Sequence, residues 1–70
     1  MEYSKALRTI LIETGISQAE LTRRLGLGSK TAYVSQLCNG KIKEPTLSKA
    51  LEIANALDVS IDRFVELMDE

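Results

Sequence analysis

The sequence Ser17-Gln18-Ala19-Glu20-Leu21 decides the fold, because it carries the clearest helix start in the chain. Ser17 is a good N-cap residue, and Glu20 three residues later completes a capping box. Leu21 and Leu25 then lie one helical turn apart and supply an apolar face. The stretch therefore predicts a helix over about residues 18–25.

A second informative stretch follows at Asn39-Gly40-Lys41-Ile42-Lys43-Glu44-Pro45. Its Asn-Gly pair is typical of the left-handed end of a helix, so the residues before it predict a helix over about 30–38, capped by Ser29 or Thr31. Gly26-Leu27-Gly28 lies between the two helices as a turn, with its leucine packing them together. Two short helices across a tight turn, the second followed by lysines, are typical of a shape that fits the DNA major groove.

Three further helices complete an all-α prediction. The first covers residues 3–14, because Gly15 supplies a stop and one face carries Tyr3, Leu7, Ile10 and Leu11. Pro45 and Thr46 open a fourth helix, whose apolar stripe has the helical period and consists of Leu47, Ala50, Leu51, Ala54 and Leu57. Ser60 caps a last helix with Ile61, Phe64, Val65 and Met68. Five short helices without a plausible strand predict one compact domain over residues 1–70.

Length and composition limit the possible classes of function. A chain of 70 residues is near the lower limit for folding without a metal or a disulfide, and Cys38 alone cannot form an internal disulfide. Histidine, a glycine-rich phosphate loop and a catalytic carboxylate pair are all missing, which predicts neither an enzyme nor a metal site, cofactor or small-molecule ligand. Neither a signal peptide nor a membrane span is apparent, so a reducing cytoplasm is the expected location.

The charge of the chain is unevenly distributed. The net charge is -1, but residues 22–49 carry +5 while residues 50–70 carry -5. The middle segment, which contains the two helices and their lysines, therefore has the sign needed for phosphates, and the acidic end is expected to face away from them.

With these residues laid out, the chain resembles the Cro/C1-type helix-turn-helix family, which includes the lambdoid phage repressors and Cro proteins. The resemblance covers roughly residues 5–67, and the matching residues are Leu7-Arg8, Gly15-Ile16-Ser17-Gln18, Glu20-Leu21, Leu25-Gly26, Asn39-Gly40, Pro45, Leu47 and Ile53-Ala54-Asn55-Ala56-Leu57-Asp58-Val59-Ser60. It implies a five-helix, lambda-repressor-like DNA-binding domain. It also implies a transcriptional regulator in the bacterial cytoplasm or nucleoid: a Cro-like repressor that binds double-stranded DNA at a palindromic operator as a homodimer.

The resemblance assigns roles to individual residues. The helix predicted over about residues 30–38 is the expected reading helix, which contacts the bases. Its expected base contacts are Thr31, Ala32, Tyr33 and Gln36, although Tyr33 is equally compatible with a place in the core. The expected contacts to the DNA backbone are Gln18, Lys30, Ser35, Asn39, Lys41 and Lys43. The expected dimer interface is Val59, Ile61, Val65 and Met68, with completion of the monomer core as the alternative role for these four residues.

Three departures from the family pattern affect this assignment. Twelve residues, Leu27 to Cys38, separate the Leu-Gly and Asn-Gly pairs, two more than is usual, which lengthens the turn near Gly28-Ser29. Thr22 replaces a preferred alanine, and its hydroxyl is expected to bond to the carbonyl one turn back. Leu11 and Cys38 replace an Arg–Glu pair found in several relatives, so we expect them to touch in the core.

Two other functions fit the same pattern. The function nearest to that of a Cro-like repressor is that of an antitoxin that represses its own operon. A helical protein-interaction module that has kept the fold without DNA binding belongs to a different class, and the sequence pI near 5.4 favours it.

Overall fold

The computed structural model describes residues 2–26 and 32–69, and these form five α-helices. In chain order they are α1 Tyr3–Thr14, α2 Gln18–Arg24, α3 Ala32–Cys38, α4 Leu47–Ala56 and α5 Ile61–Met68. No strand occurs within these two ranges, and the all-α prediction is confirmed. No helix in them has the length and apolar character needed to cross a membrane.

The ends of α1 and α2 follow from local chemistry. Gly15 adopts a left-handed backbone with φ of 72°, and its N–H bonds to the last carbonyls of α1, as expected for a glycine stop. The hydroxyl of Ser17 accepts a hydrogen bond from the Glu20 amide at 3.0 Å and begins α2. The reciprocal half of the capping box was predicted wrongly: the Glu20 carboxylate bonds to Arg23 Nε at 2.8 Å instead, because a cation one turn along the helix is a stronger partner than a backbone amide.

The turn between α2 and α3 lies mostly outside the described residues. The predicted packing of Leu27, the caps Ser29 and Thr31, and the lengthened turn at Gly28-Ser29 all belong to it. At the other end of α3, Gly40 has a φ of 82°, which bears out the predicted left-handed stop. A Cβ atom at Gly40 would lie 3.7 Å from Ser4 Oγ, so this turn rests on the first turn of α1.

The core is mostly aliphatic, and all five helices contribute buried residues to it. Helix α1 packs against α3 and α5, α2 packs against α3 and α4, and α4 packs against α5. An aromatic pair joins α1 and α5: the rings of Tyr3 and Phe64 stack with centroids 5.5 Å apart. The buried apolar residues are Tyr3, Ala6, Leu7, Ile10, Leu11, Leu21, Val34, Leu37, Cys38, Ile53, Ala54, Leu57, Phe64 and Leu67.

The predicted stripe of α4 is wrong at two positions. Leu47 is 75% exposed and Leu51 is 44% exposed, whereas Ile53 is fully buried. Leu47 and Ile53 lie about 120° apart around the helix, so both cannot face the same neighbours. Packing against α2 and α5 selects the side that carries Ile53 and Leu57, and the Leu47 edge is left outside.

Two predictions concern the contact between helices α1, α2 and α3. The Thr22 hydroxyl donates to the carbonyl of Gln18 at 2.8 Å, which confirms the expected bond one turn back and leaves this buried hydroxyl satisfied. Leu11 and Cys38 are both buried in the core, on helices that pack against each other. Their direct contact stays a prediction.

Candidate nucleic-acid interface

Helix α3 has one buried side and one outward side. Val34, Leu37 and Cys38 are buried and fix the rotation of the helix. The residues at the positions between them lie on the opposite side, with the i, i+3, i+4, i+7 spacing of a single helical face, and are Ala32, Ser35, Gln36 and Asn39. Three of them are exposed and Gln36 is half-buried. The helix therefore presents a small, uncharged polar face with hydrogen-bonding capacity.

The loop after α3 is ordered by bonds to the end of the helix. The Asn39 side-chain oxygen accepts a hydrogen bond from the Lys41 amide at 2.9 Å, and the Ile42 amide donates to the Gln36 carbonyl at 3.1 Å. Ile42 packs partly against the core, while Lys41 and Lys43 on either side of it are exposed. The loop, called the lysine loop below, thus carries two exposed lysines shortly after the C-terminal end of α3.

Gln18 stands exposed at the start of α2. It borders a groove at the α1–α2 corner together with Arg8, Ile12 and Ile16. The amides of the first turn are partly used, because Glu20 bonds to the Ser17 hydroxyl and Leu21 to the Ser17 carbonyl. The side chain of Gln18 is therefore one polar group that this corner offers to a ligand, beside that of Arg8.

Tyr33 lies at the edge of the core, where the sequence left two roles open. It is half-buried and packs against the core cluster. Burial raises the pKa of its hydroxyl, while the charge of Lys49 lowers it and that of Glu52 raises it, so this hydroxyl lies near α4. A base contact by Tyr33 remains a prediction, and part of its ring serves the fold.

Two predicted DNA contacts, Lys30 and Thr31, lie outside the described residues. Both arginines of α2 are engaged within the chain. Arg23 is paired with Glu20 within α2, where the hydrogen bond from Arg23 lowers the pKa of the carboxyl group. Arg24 Nη1 donates to the carbonyl of Ala56 at 2.9 Å.

Within the described ranges, no cluster of His, Cys, Asp and Glu side chains is placed to hold a metal ion.

The predicted dimer residues lie around the C-terminal helix. Val65 is 51% exposed, whereas Val59, Ile61 and Met68 are half-buried and pack partly against the core. Sequence reasoning missed Leu47, which borders the same groove between α4 and α5 as Val65. The available signal was that α4 carries more apolar residues than one buried face can use.

The comparison with known proteins agrees with this geometry. A family model described as helix-turn-helix matches residues 7–64, which is most of the chain. The matched region runs from the second turn of α1 to the middle of α5, so it includes every described helix at least in part. No solved structure matches the chain.

Proposed function

The chain belongs to the Cro/C1-type helix-turn-helix family of DNA-binding transcription regulators, and on that premise we propose that it is a Cro-like repressor. In this proposal it binds a palindromic operator in the bacterial nucleoid as a homodimer, with α3 in the major groove of each half-site. Its chemistry is binding and not catalysis.

The outward face of α3 is the observation that carries the proposal. Gln36 offers an amide of the kind that pairs in bidentate fashion with the edge of adenine, and such a pair discriminates by about 1–3 kcal/mol. Ala32 offers a methyl group for contact with thymine. Thr31 and Tyr33 are assigned to base contacts as well. The part of this face at Ala32 and Gln36 has no charged side chain and suits base edges better than phosphates.

The groups that surround this face suit the DNA backbone. Lys41 and Lys43 supply cations on the loop at one end of α3, and Gln18 supplies an amide at the start of α2. Ser35, Asn39 and Lys30 are assigned to the backbone as well. Phosphate contacts of this kind set the register of a protein on the duplex without reading its sequence.

The acidic character of the chain is compatible with this role, because its carboxylates are concentrated elsewhere. Asp62, Glu66 and Asp69 are exposed on or directly after α5, and residues 50–70 together carry -5. Residues 22–49, which contain α3 and its lysine loop, carry +5. The potential around the reading helix is set by the nearer, positive group.

The dimer is assigned to the apolar face between α4 and α5. Leu47 and Val65 are both large, exposed and on the same groove, where Ile61 and Met68 also lie. Exposed apolar residues gathered in one patch mark an interaction surface more often than isolated ones do. A two-fold pairing through this face would place two copies of α3 on successive half-sites, about 34–36 Å apart.

Selection of bound sites from a random pool of DNA duplexes tests the proposal. We expect a palindrome whose arms repeat at one helical turn, and an affinity that falls steeply with salt as condensed counterions are released. Enrichment of no common sequence, together with no binding at low salt, would leave the protein-interaction module as the function.

Measurement of the mass of the chain alone and on its selected DNA tests the dimer. A single copy on a non-palindromic site would remove the dimer from the proposal. A second, different protein bound to the α4–α5 face would favour the antitoxin over the Cro-like repressor.

A further inference from the structure

Arg8 lies on the side of α1 that faces two of the candidate phosphate-binding segments. It is exposed and borders the groove at the α1–α2 corner, where Gln18 forms another part of the rim. Ser4, one turn before Arg8 on the same helix face, lies beneath Gly40 in the turn that leads to the lysines. The surface of α1 around Arg8 therefore extends from the lysine loop to the start of α2.

Electrostatics also relate Arg8 to the end of the reading helix. Burial raises the pKa of the Cys38 thiol, and the charge of Arg8 acts in the opposite direction and lowers it. Since Cys38 is the last residue of α3, the guanidinium group acts on the end of the helix from which the lysine loop departs.

Arg8 differs from the other three arginines in its bonding. Arg23 is paired with Glu20, Arg24 with the carbonyl of Ala56, and Arg63 with Glu13 at 2.7 Å. In residues 2–26 and 32–69, no hydrogen bond or ion pair engages Arg8. A guanidinium group always carries its charge, and its planar set of five donors matches the oxygens of a phosphate. Its solvent-exposed fork therefore suits an external anion.

We propose that Arg8 is a further contact to the DNA backbone, and that it links the phosphate-binding groups of the lysine loop with Gln18 into one continuous track. The proposal rests on the proposed function, since it requires that the chain bind DNA. It adds a residue of α1, outside the helix-turn-helix unit itself, to the surface that meets the duplex. Arg8 sets affinity and register and does not read bases.

Salt titration of variants on the selected duplex is the first test. Removing one phosphate contact lowers the slope of log K against log salt by about 0.9, so Arg8→Ala should show that change with an affinity loss of about ten-fold at low salt. Arg8→Lys keeps the charge and should keep most of the slope. Lys5→Ala is the matched control: Lys5 is exposed on the same helix and does not border the groove, so its loss should change the slope by less.

An alternative role for Arg8 is stabilisation of the C-terminal end of α3 through the helix dipole. That role predicts a lower melting temperature for Arg8→Ala with an unchanged salt slope. Equal slopes for Arg8→Ala and the wild-type chain would therefore overturn the proposal, as would equal effects of Arg8→Ala and Lys5→Ala.

Duplexes with one neutral methylphosphonate at a time give the decisive measurement. We expect one position at which the modification lowers the affinity of the wild-type chain but does not lower that of Arg8→Ala any further. At that position the modified phosphate and the substituted arginine remove the same contact. Additive losses at every position overturn the proposal. A wild-type chain that binds none of the unmodified duplexes overturns the proposed function instead, and this is seen before any variant is compared.

Discussion

Arg24 in α2 donates a hydrogen bond from Nη1 to the carbonyl oxygen of Ala56, the last residue of α4, at a distance of 2.9 Å. The last carbonyls of a helix have no partner within it, and a cation there also meets the negative end of the helix dipole. This bond therefore ties two helices that are distant in sequence. It gives Arg24 a structural role that its basic character alone did not reveal.

Arg24→Ala should lower the free energy of unfolding by about 1 kcal/mol. Hydrogen bonds to charged groups contribute about 1.5–3 kcal/mol, and the partly exposed side chain of Arg24 places the effect below that range. Urea denaturation would measure it. Arg23→Ala removes the same charge from an exposed pair within one helix and should cost only a few tenths of a kcal/mol. Equal losses for the two variants would contradict the structural role of the bond to Ala56.

Tyr3→Phe should raise the free energy of unfolding by about 1 kcal/mol. The Tyr3 side chain is buried, and its hydroxyl has no hydrogen-bond partner, so the native state bears the cost of removing this group from water. The phenyl ring keeps the stacking on Phe64. Thermal or urea unfolding would measure the gain. Tyr33→Phe, at a half-buried hydroxyl, should change stability by less than about 0.5 kcal/mol.

The same variant should alter the response to alkaline pH. Burial, followed by the nearby Tyr33 and Cys38, raises the pKa of Tyr3 well above its ordinary value of 10.0. Between the ordinary pKa of 10.0 and the raised pKa of the native state, the unfolded chain has lost the Tyr3 proton while the native chain retains it. Stability therefore falls as pH rises through this range. Tyr3→Phe should lose less stability than the wild-type chain between neutral pH and pH 11. Parallel curves for the two proteins would mean that the hydroxyl is not shielded from water.

The helices were predictable from sequence because local signals and core periodicity agreed. Tyr3–Thr14 was predicted with its observed limits, since Gly15 and the spacing of its apolar residues indicate the same segment. Gln18–Arg24 is one residue shorter than expected, within the usual fraying of a helix end. In α3 the three buried residues fix which side faces outward, so the outward face follows from the pattern.

The exposed apolar face and the bonding of the arginines were not predictable in the same way. Periodicity shows that Leu47 and Ile53 are apolar, but only the packing of α4 on its neighbours decides which of them is buried. The bond from Arg24 to Ala56 joins residues 32 positions apart, and no local rule indicates it. The sequence pattern contains Arg8 as a matching residue, but its position between two surface segments emerges only from the fold.

Gln36→Ala should relax base preference at one position of the selected site. A bidentate amide–adenine pair accounts for about 1–3 kcal/mol of discrimination, and alanine cannot form it. Lys43→Ala should instead weaken binding to all sequences by similar factors and lower the salt slope by about one. Competition binding against a panel of single-base variants would measure both. The reverse pattern would mean that the outward face of α3 is not the reading surface.

Leu47→Ser and Val65→Ser should each weaken the proposed homodimer while leaving the monomer fold intact. The two side chains are exposed and border the same groove, so they contribute little to the monomer core. Sedimentation equilibrium would show a larger dissociation constant, and affinity for the full palindrome should fall more than affinity for a half-site. Ile12→Ser is the control, because Ile12 is 82% exposed but lies on α1, at the groove of the α1–α2 corner. A dimer weakened only by Ile12→Ser would relocate the interface.

Cys38→Glu should destabilise the chain by about 3 kcal/mol, and adding Leu11→Arg should recover much of that loss. Leu11 is 8% exposed and Cys38 is 3% exposed, so a charge introduced at either position alone would be buried without an opposite charge beside it. Losses of about 3–5 kcal/mol are typical of such a charge, and the field of Arg8 places Cys38→Glu at the low end.

The double-mutant cycle, measured by urea denaturation, separates contact from simple intolerance of charge. If the two side chains touch, the Arg–Glu pair forms across α1 and α3. The free energy of unfolding of the double variant then falls by at least 1 kcal/mol less than the sum of the two single losses. Additive losses would mean that Leu11 and Cys38 occupy separate parts of the core. Full stability of Cys38→Glu alone would mean that the last residue of α3 faces solvent, and the orientation of the reading helix would have to be revised with it.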